Sequence, residues 1–287
     1  MGPGRLEVAI ILAALALAMP GCAASQDKGG PDMETLKAQV LEKNPEAALR
    51  ARQLGRKAAP LLEELSKNQD EGVRRVALNC FREVGGPEAV KAFLRGLSDE
   101  DPQVAGSAAN GFNRHFEPTH AAELLAAYDK APDPLARSEI ALFLGRSNGV
   151  DLKEFRKRLE AEKDPEAAEG CVVGLAKLGD KAAQEEYVRR LHASKERERL
   201  RFIEHGSYIG APWIQKPMLP LLDDKNVLVT QGVDARPKDT LLLRSCDLVV
   251  NLVAAVSGRK FSFKIDPFKN YNDAEIEEVR RYLKGLP

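Results

Sequence analysis

The chain has no excess of either charge: Lys plus Arg and Asp plus Glu both number 43 in 287 residues. That absence excludes a bulk electrostatic field drawing the protein to nucleic acid or to a membrane surface. Aromatics are scarce at 6%, Trp213 is the sole tryptophan, and long strand-like runs are missing. Cysteine is sparse too, at four residues. Cys80, Cys171 and Cys246 each sit inside an apolar helical pattern, in "VALNCF", "EGCVVGL" and "LRSCDLVV". They read as buried thiols acting as small hydrophobes, not as nucleophiles or metal ligands. What the chain does contain is alanine, leucine, glutamate, lysine and arginine, a composition that favours helix. Its 44% hydrophobic content is enough for a sizeable core.

The first residues stand apart. "MGPGRLEVAIILAALALAMPGCAAS" holds Arg5 and then an apolar run from Val8 to Met19. A stable spanning helix needs about 20 residues, so this run is too short to cross a bilayer, but it has the length of a signal-peptide core. It ends in Met19-Pro20-Gly21-Cys22, which resembles the lipobox of bacterial lipoproteins at Gly21 and Cys22. Met19 stands where leucine is usual and Pro20 where a small residue is usual. The resemblance implies cleavage before Cys22, acylation of its thiol, and a protein held at the bacterial membrane. Ala23 follows the cysteine, which in enteric bacteria accompanies sorting to the outer membrane, facing the periplasm. Ordinary secretory cleavage near Ala23 and a retained anchor stay open as alternatives. Three cysteines remain after Cys22, and in an exported protein an odd count rules out full internal pairing.

A repeat organises the middle of the chain. "DEGVRRVALNCFREVGG", "DPQVAGSAANGF", "DPLARSEIALFLGR" and "DPEAAEGCVVGLAKLGD" open at Asp70, Asp101, Asp133 and Asp164, spaced 31, 32 and 31 residues apart. A fixed period in this range signals stacked helical units. Aspartate at an N-cap accepts hydrogen bonds from the first free amides of a helix, and its charge suits the positive helix start. Proline at the next position has no amide to leave unpaired and carries a helical φ. Asp-Pro therefore marks a helix start in each of three units. After Asp70, Val73, Val76, Ala77, Cys80, Phe81 and Val84 fall at three- and four-residue steps. A glycine break follows, and then a second helix, "EAVKAFLRGL". "HAAELLAAY", "LKEFRKRLEAE" and "KAAQEEYVRRLH" are the corresponding second helices. One such pair is too thin to bury its apolar stripe, and stacking its neighbours against it closes the core.

Asp70, Val73, Arg74, Ala77 and Val84, with Asp101, Pro102 and Val104, Asp133, Pro134 and Arg137, and Asp164, Pro165 and Leu175, resemble the HEAT-repeat family in its short bacterial form. The resemblance covers residues 44–224. It implies an all-α, right-handed α-solenoid of stacked helical hairpins. The family's arginine is present at Arg74 and Arg137 but replaced by Ala105 and Ala168, so a continuous arginine–aspartate ladder is broken. A looser unit begins at Asn44 and a later one near Ser194. The organisation expected is a signal peptide over 1–21, the lipidated cysteine and a flexible tether over 22–33, repeats over 34–224, and a C-terminal loop with capping helices over 225–287. In that last part "TLLLRSCDLVVNLVAAVSG" reads as an apolar helix stopped by Gly258, and "KFSFKIDPFKNY" as a short extended segment. The final helix is opened by a capping box from Asn272 to Glu275. Arg244, Asp247, Asn251, Gly258, Phe261, Phe263 and Arg280 match a tail that closes many bacterial HEAT-repeat proteins. Residues 225–238 and 259–271 are the alternative, a binding loop.

Catalytic patterns are missing. No Gly-x-Ser-x-Gly, P-loop or dinucleotide fingerprint occurs, and "GSYIG" places its serine second. His115, His120, His192 and His205 are scattered and read as surface residues. The expected function is a non-catalytic scaffold without cofactor or metal, bound to an unidentified envelope-associated protein and to the membrane through its lipid, and not to nucleic acid. In HEAT proteins the second helices line the concave face, so the resemblance makes Lys91, Arg95, Arg156, Arg189 and Arg190 candidate contacts, with Cys22 as the lipid attachment site. Phycobilin lyases share the repeat type, which keeps an enzyme as the competing class, and a binder of an anionic envelope ligand is the third.

Overall fold

A computed structural model of the chain describes residues 33–231 and 241–287. The expected signal peptide, Cys22, nearly all of the tether, and the second half of the 225–238 loop lie outside the described residues. The rest falls into two compact units, one running to Leu178 and one from Gly179 to Pro287.

The first unit is a series of helices. α1 (Met33–Leu41), α2 (Ala47–Leu54) and α3 (Ala59–Leu65) lead into the regular repeats. These follow as α4 (Glu71–Val84) with α5 (Pro87–Gly96), α6 (Pro102–Arg114) with α7 (Ala121–Lys130), α8 (Pro134–Arg146) with α9 (Leu152–Ala161), and then α10 (Pro165–Lys177). The N-cap reading holds in each repeat. Asp70 accepts from Val73 N at 3.1 Å, Asp101 from Val104 N at 2.9 Å, Asp133 from Ala136 N at 2.9 Å and Asp164 from Ala167 N at 3.1 Å. Asp151 caps α9 in the same way, through Lys153 N at 2.9 Å. The remaining Asp-Pro pair, Asp266-Pro267, opens a turn instead of a helix.

The unit's core is a row of buried Phe81, Phe93, Phe112 and Phe155 with Leu78, Leu97, Leu124 and Ile140. Phe112 meets Phe143 of the next repeat edge-on at 4.9 Å. First helices lie very close to one another. A Cβ at Gly174 of α10 would stand 2.4 Å from the Ala141 carbonyl oxygen of α8, so only glycine permits that approach.

The arginine that recurs in the sequence makes one construction wherever it is present. Arg74 forms a two-pronged pair with Asp99, its Nε and Nη2 each 2.8 Å from a carboxylate oxygen, and donates to the Asn68 and Gln69 carbonyls at 3.0 Å. Arg137 grips Glu162 at 2.8 and 3.1 Å and donates to the Ala131 and Pro132 carbonyls. Each acid also accepts from the backbone amide that leads into the next repeat, Asp99 from Asp101 N and Glu162 from Asp164 N, both at 3.0 Å. The clasp thus ties the inside of one repeat to the start of the next.

The second unit begins with α11 (Lys181–Ala193), capped by Asp180 through Ala183 N at 3.0 Å, and α12 (Glu196–Ile209). Arg199 repeats the clasp, bonding Asp224 and the Ser194 carbonyl. Short 3-10 turns over Pro212–Ile214 and Lys216–Asp223 follow. β1 (Val227–Gln231) then pairs antiparallel with β2 (Leu241–Arg244), Val227 opposite Arg244 and Thr230 opposite Leu242. α13 (Ser245–Ser257) and α14 (Asp273–Lys284) complete the chain.

Two expectations for this unit need correction. The apolar stretch from Thr240 is not helical from its start: Leu241–Arg244 is a strand, and the helix begins at Ser245. "KFSFKIDPFKNY" is a run of bends and turns instead of an extended segment. The capping box at α14 is as expected, with Asn272 Oδ1 accepting from Glu275 N and Glu275 Oε2 from Asn272 N, both at 3.0 Å. Arg244, Asp247 and Asn251 have a shared purpose. Asp247 is fully buried and accepts from Arg244 N and Nε and from Tyr271 N, at 2.8–3.0 Å. Arg244 Nη2 donates to the Tyr271 carbonyl at 2.6 Å, and Tyr271 Oη donates to Asn251 Oδ1 at 2.7 Å. The three residues pin the α13–α14 connection onto α13 at Tyr271.

Candidate interaction surface

The five basic residues singled out in the sequence are differently placed. Lys91 and Arg95 lie one turn apart on α5, and Arg156 is exposed on α9. Arg95 is committed to its neighbour: its Nη2 donates to Ser66 Oγ at 2.7 Å and to Glu63 at 3.2 Å on the preceding repeat. Arg189 and Arg190 belong to the second unit, where both bond Glu186 of their own helix at 2.6–2.7 Å. Burial would raise the Glu186 carboxyl, but the Arg189 bonds are the largest influence and, with Arg190, hold it down at about 2. These arginines offer a charge that is already half neutralised.

Lys91 is the exception. It is exposed and has no ion-pair partner among the described residues. It lines a groove of about 600 Å³ between the start of α5 and the α6–α7 connection. Pro87 and Val90 share its side, and Arg114, His115, Phe116, Glu117 and His120 form the other. The local sequence explains the geometry. Gly85 and Gly86, at φ +69° and +91°, turn the chain so that Pro87 can open α5. A Cβ at Gly85 would stand 3.0 Å from the His115 ring. His115 Nε2 lies 2.8 Å from the Arg82 carbonyl, which can only accept, so that nitrogen carries the proton. The ring stacks on Phe93 with centroids 6.1 Å apart. The Arg146 guanidinium covers Phe116 at 4.1 Å from its ring centroid.

The histidines are less superficial than the sequence suggests. Only His192 is exposed; His115, His120 and His205 are half-buried and pack against Phe93, Phe112 and Phe202. Burial, with Arg201 nearby, pulls the His205 ring down to about 4. Among the described residues no group of three ligating side chains is placed to hold a metal. Cys80, Cys171 and Cys246 are free and buried as expected. Burial pushes the Cys80 and Cys171 thiols up to about 12, which leaves them protonated and unreactive at neutral pH. Cys171 Sγ donates to Tyr128 Oη at 3.2 Å, and Tyr128 donates to Glu162 at 2.7 Å, joining the thiol to the Arg137 clasp.

Paired helices stacked repeat on repeat, with the first helices α4, α6, α8 and α10 capped by aspartate, define an α-solenoid. The family model for HEAT repeats matches residues 58–145, from just before α3 through nearly all of α8, and that segment carries HEAT repeats. No curated protein matches the chain.

Proposed function

We propose that the protein is a lipid-anchored, periplasm-facing scaffold of the bacterial envelope that recognises a protein partner through its repeat surface and breaks no bond. The HEAT repeats support the scaffold role, since stacked repeats present long surfaces for protein contact. The observation that carries the reading is the Lys91 groove: an unpaired ammonium beside Val90 and Phe116, wide enough for a few side chains of an acidic segment. The membrane half of the reading is supported by the run Val8–Met19 and by Gly21-Cys22, with Ala23 favouring the outer membrane. The test is a photocrosslinking amino acid in place of Lys91, introduced in cells. One discrete adduct with an envelope protein is expected. No adduct, or the same diffuse products as from a crosslinker at exposed Lys284, would overturn the assignment.

A further inference from the structure

The α13–α14 connection combines basic side chains with an exposed ring. Residues 259–270 hold Arg259, Lys260, Lys264 and Lys269 against Asp266, in a protein whose total charge is zero. Phe268 is 56% exposed, the one aromatic ring among the large exposed hydrophobic side chains of the described residues. It sits in a turn fixed by Asp266 Oδ1, which accepts from Phe268 N at 2.9 Å. The connection also carries a ladder of rings: Tyr282 to Phe261 at 6.0 Å, Phe261 to Phe263 at 5.6 Å, and Phe263 to Tyr271 at 5.4 Å. Arg259 lies 5.0 Å over Tyr282 and Lys269 5.2 Å over Tyr271, and Tyr271 is held by Asp247 and Asn251. The ladder is therefore tied to α13 through Tyr271 and to α14 through Tyr282. Two acids of α14 face the connection: Glu275 is 13% exposed and binds Lys269, and Glu278, at the surface, accepts from Ser262 N at 2.9 Å. Lys260 and Lys264 are exposed and have no acidic partner among the described residues.

We propose that this connection is a membrane-contact surface, with the Phe268 ring entering the interface of an anionic bilayer and Lys260 and Lys264 meeting its headgroups. A lone exposed ring needs a matching pocket in a protein partner, but none in a bilayer, where an apolar tip flanked by ammoniums satisfies both layers of the interface. Each cation near an anionic surface strengthens such contact by roughly 5-fold. The inference goes beyond the scaffold reading and does not rest on it.

The test places an indole at the tip. The full chain with Phe268→Trp is mixed with phosphatidylcholine vesicles with and without phosphatidylglycerol, the unaltered chain and its Trp213 serving as background. The expected result is a blue shift and quenching by brominated acyl chains on anionic vesicles only, both lost when Lys260→Glu and Lys264→Glu are added. Because the probe reports from the loop itself, attachment elsewhere on the chain does not produce the signal. Unchanged emission on anionic vesicles overturns the proposal. Equal quenching on neutral vesicles does too, by removing the role of charge. A blue shift with soluble polyglutamate and no vesicles assigns the surface to an acidic polypeptide instead.

Discussion

At the scale of single residues, the aspartate caps and the arginine clasps carry most of the local order. Asp133→Ala removes the bond to Ala136 N, and the melting transition should fall by the equivalent of about 1 kcal/mol. The clasp makes a pH-dependent contribution. Burial alone would raise the Glu162 carboxyl, but Arg137, the Asp164 amide and Tyr128 together outweigh it and lower it from 4.5 to about 2. A carboxyl depressed on folding stabilises above its unfolded value and loses that stabilisation as pH falls through the folded one. The stability gap between the native protein and Glu162→Gln should thus be full at neutral pH and narrow by roughly 2–3 kcal/mol from pH 4.5 to 2. Denaturant titrations over that range check it, and a gap constant with pH would mean the ion pair is not what the substitution removes. The clasps also amend the broken ladder read from the sequence. Arg74, Arg137 and Arg199 fall 63 and 62 residues apart, so the device recurs in every second repeat, with Ala105 and Ala168 in between. Arg199 was hidden because its repeat opens with Lys195, which makes no side-chain cap, in place of Asp-Pro.

At the scale of elements, helix starts were legible because their signals are local: an acid, often a proline, and an apolar stripe within two turns. The β1–β2 pair was not, since strand pairing joins Val227 to Arg244 across the chain and leaves no local mark. Leu241–Arg244 also runs directly into the apolar face of α13, so one continuous pattern covers a strand and a helix. The groove was half legible. Lys91 could be picked out by its place on a second helix, whereas His115 and Phe116 reach it only through stacking of the following repeat. Glycines separate packing from propensity most sharply. Gly174→Ala gains about 1 kcal/mol of helix propensity but drives a methyl into the Ala141 carbonyl, which costs more, for a net loss of about 1–2 kcal/mol. Gly106→Ala, on exposed α6 surface with nothing within 4 Å of the added methyl, should instead stabilise by up to about 1 kcal/mol. Equilibrium unfolding of the two variants should shift in opposite directions.

At the scale of the whole molecule, the question is what would keep a chain of zero net charge at a membrane. The run Val8–Met19 spans about 18 Å as a helix, against a hydrocarbon core of about 30 Å, and gives no stable crossing. Among the described residues no helix is long and apolar enough to cross either. One acyl chain binds reversibly, whereas two or more hold, so the proposed anchoring at Cys22 depends on the multiple acylation that the lipobox resemblance implies. Cys22→Ser should move the protein from the membrane fraction to the soluble fraction of the envelope. With the proposed acylation of Cys22 in place, charge reversals in the 259–270 connection alone should leave the otherwise native protein in the membrane fraction. If Cys22→Ser stays membrane-bound and is released only when Lys260→Glu and Lys264→Glu are added, the connection is the principal attachment. If it stays bound even then, neither the cysteine nor the two lysines of the loop hold it there.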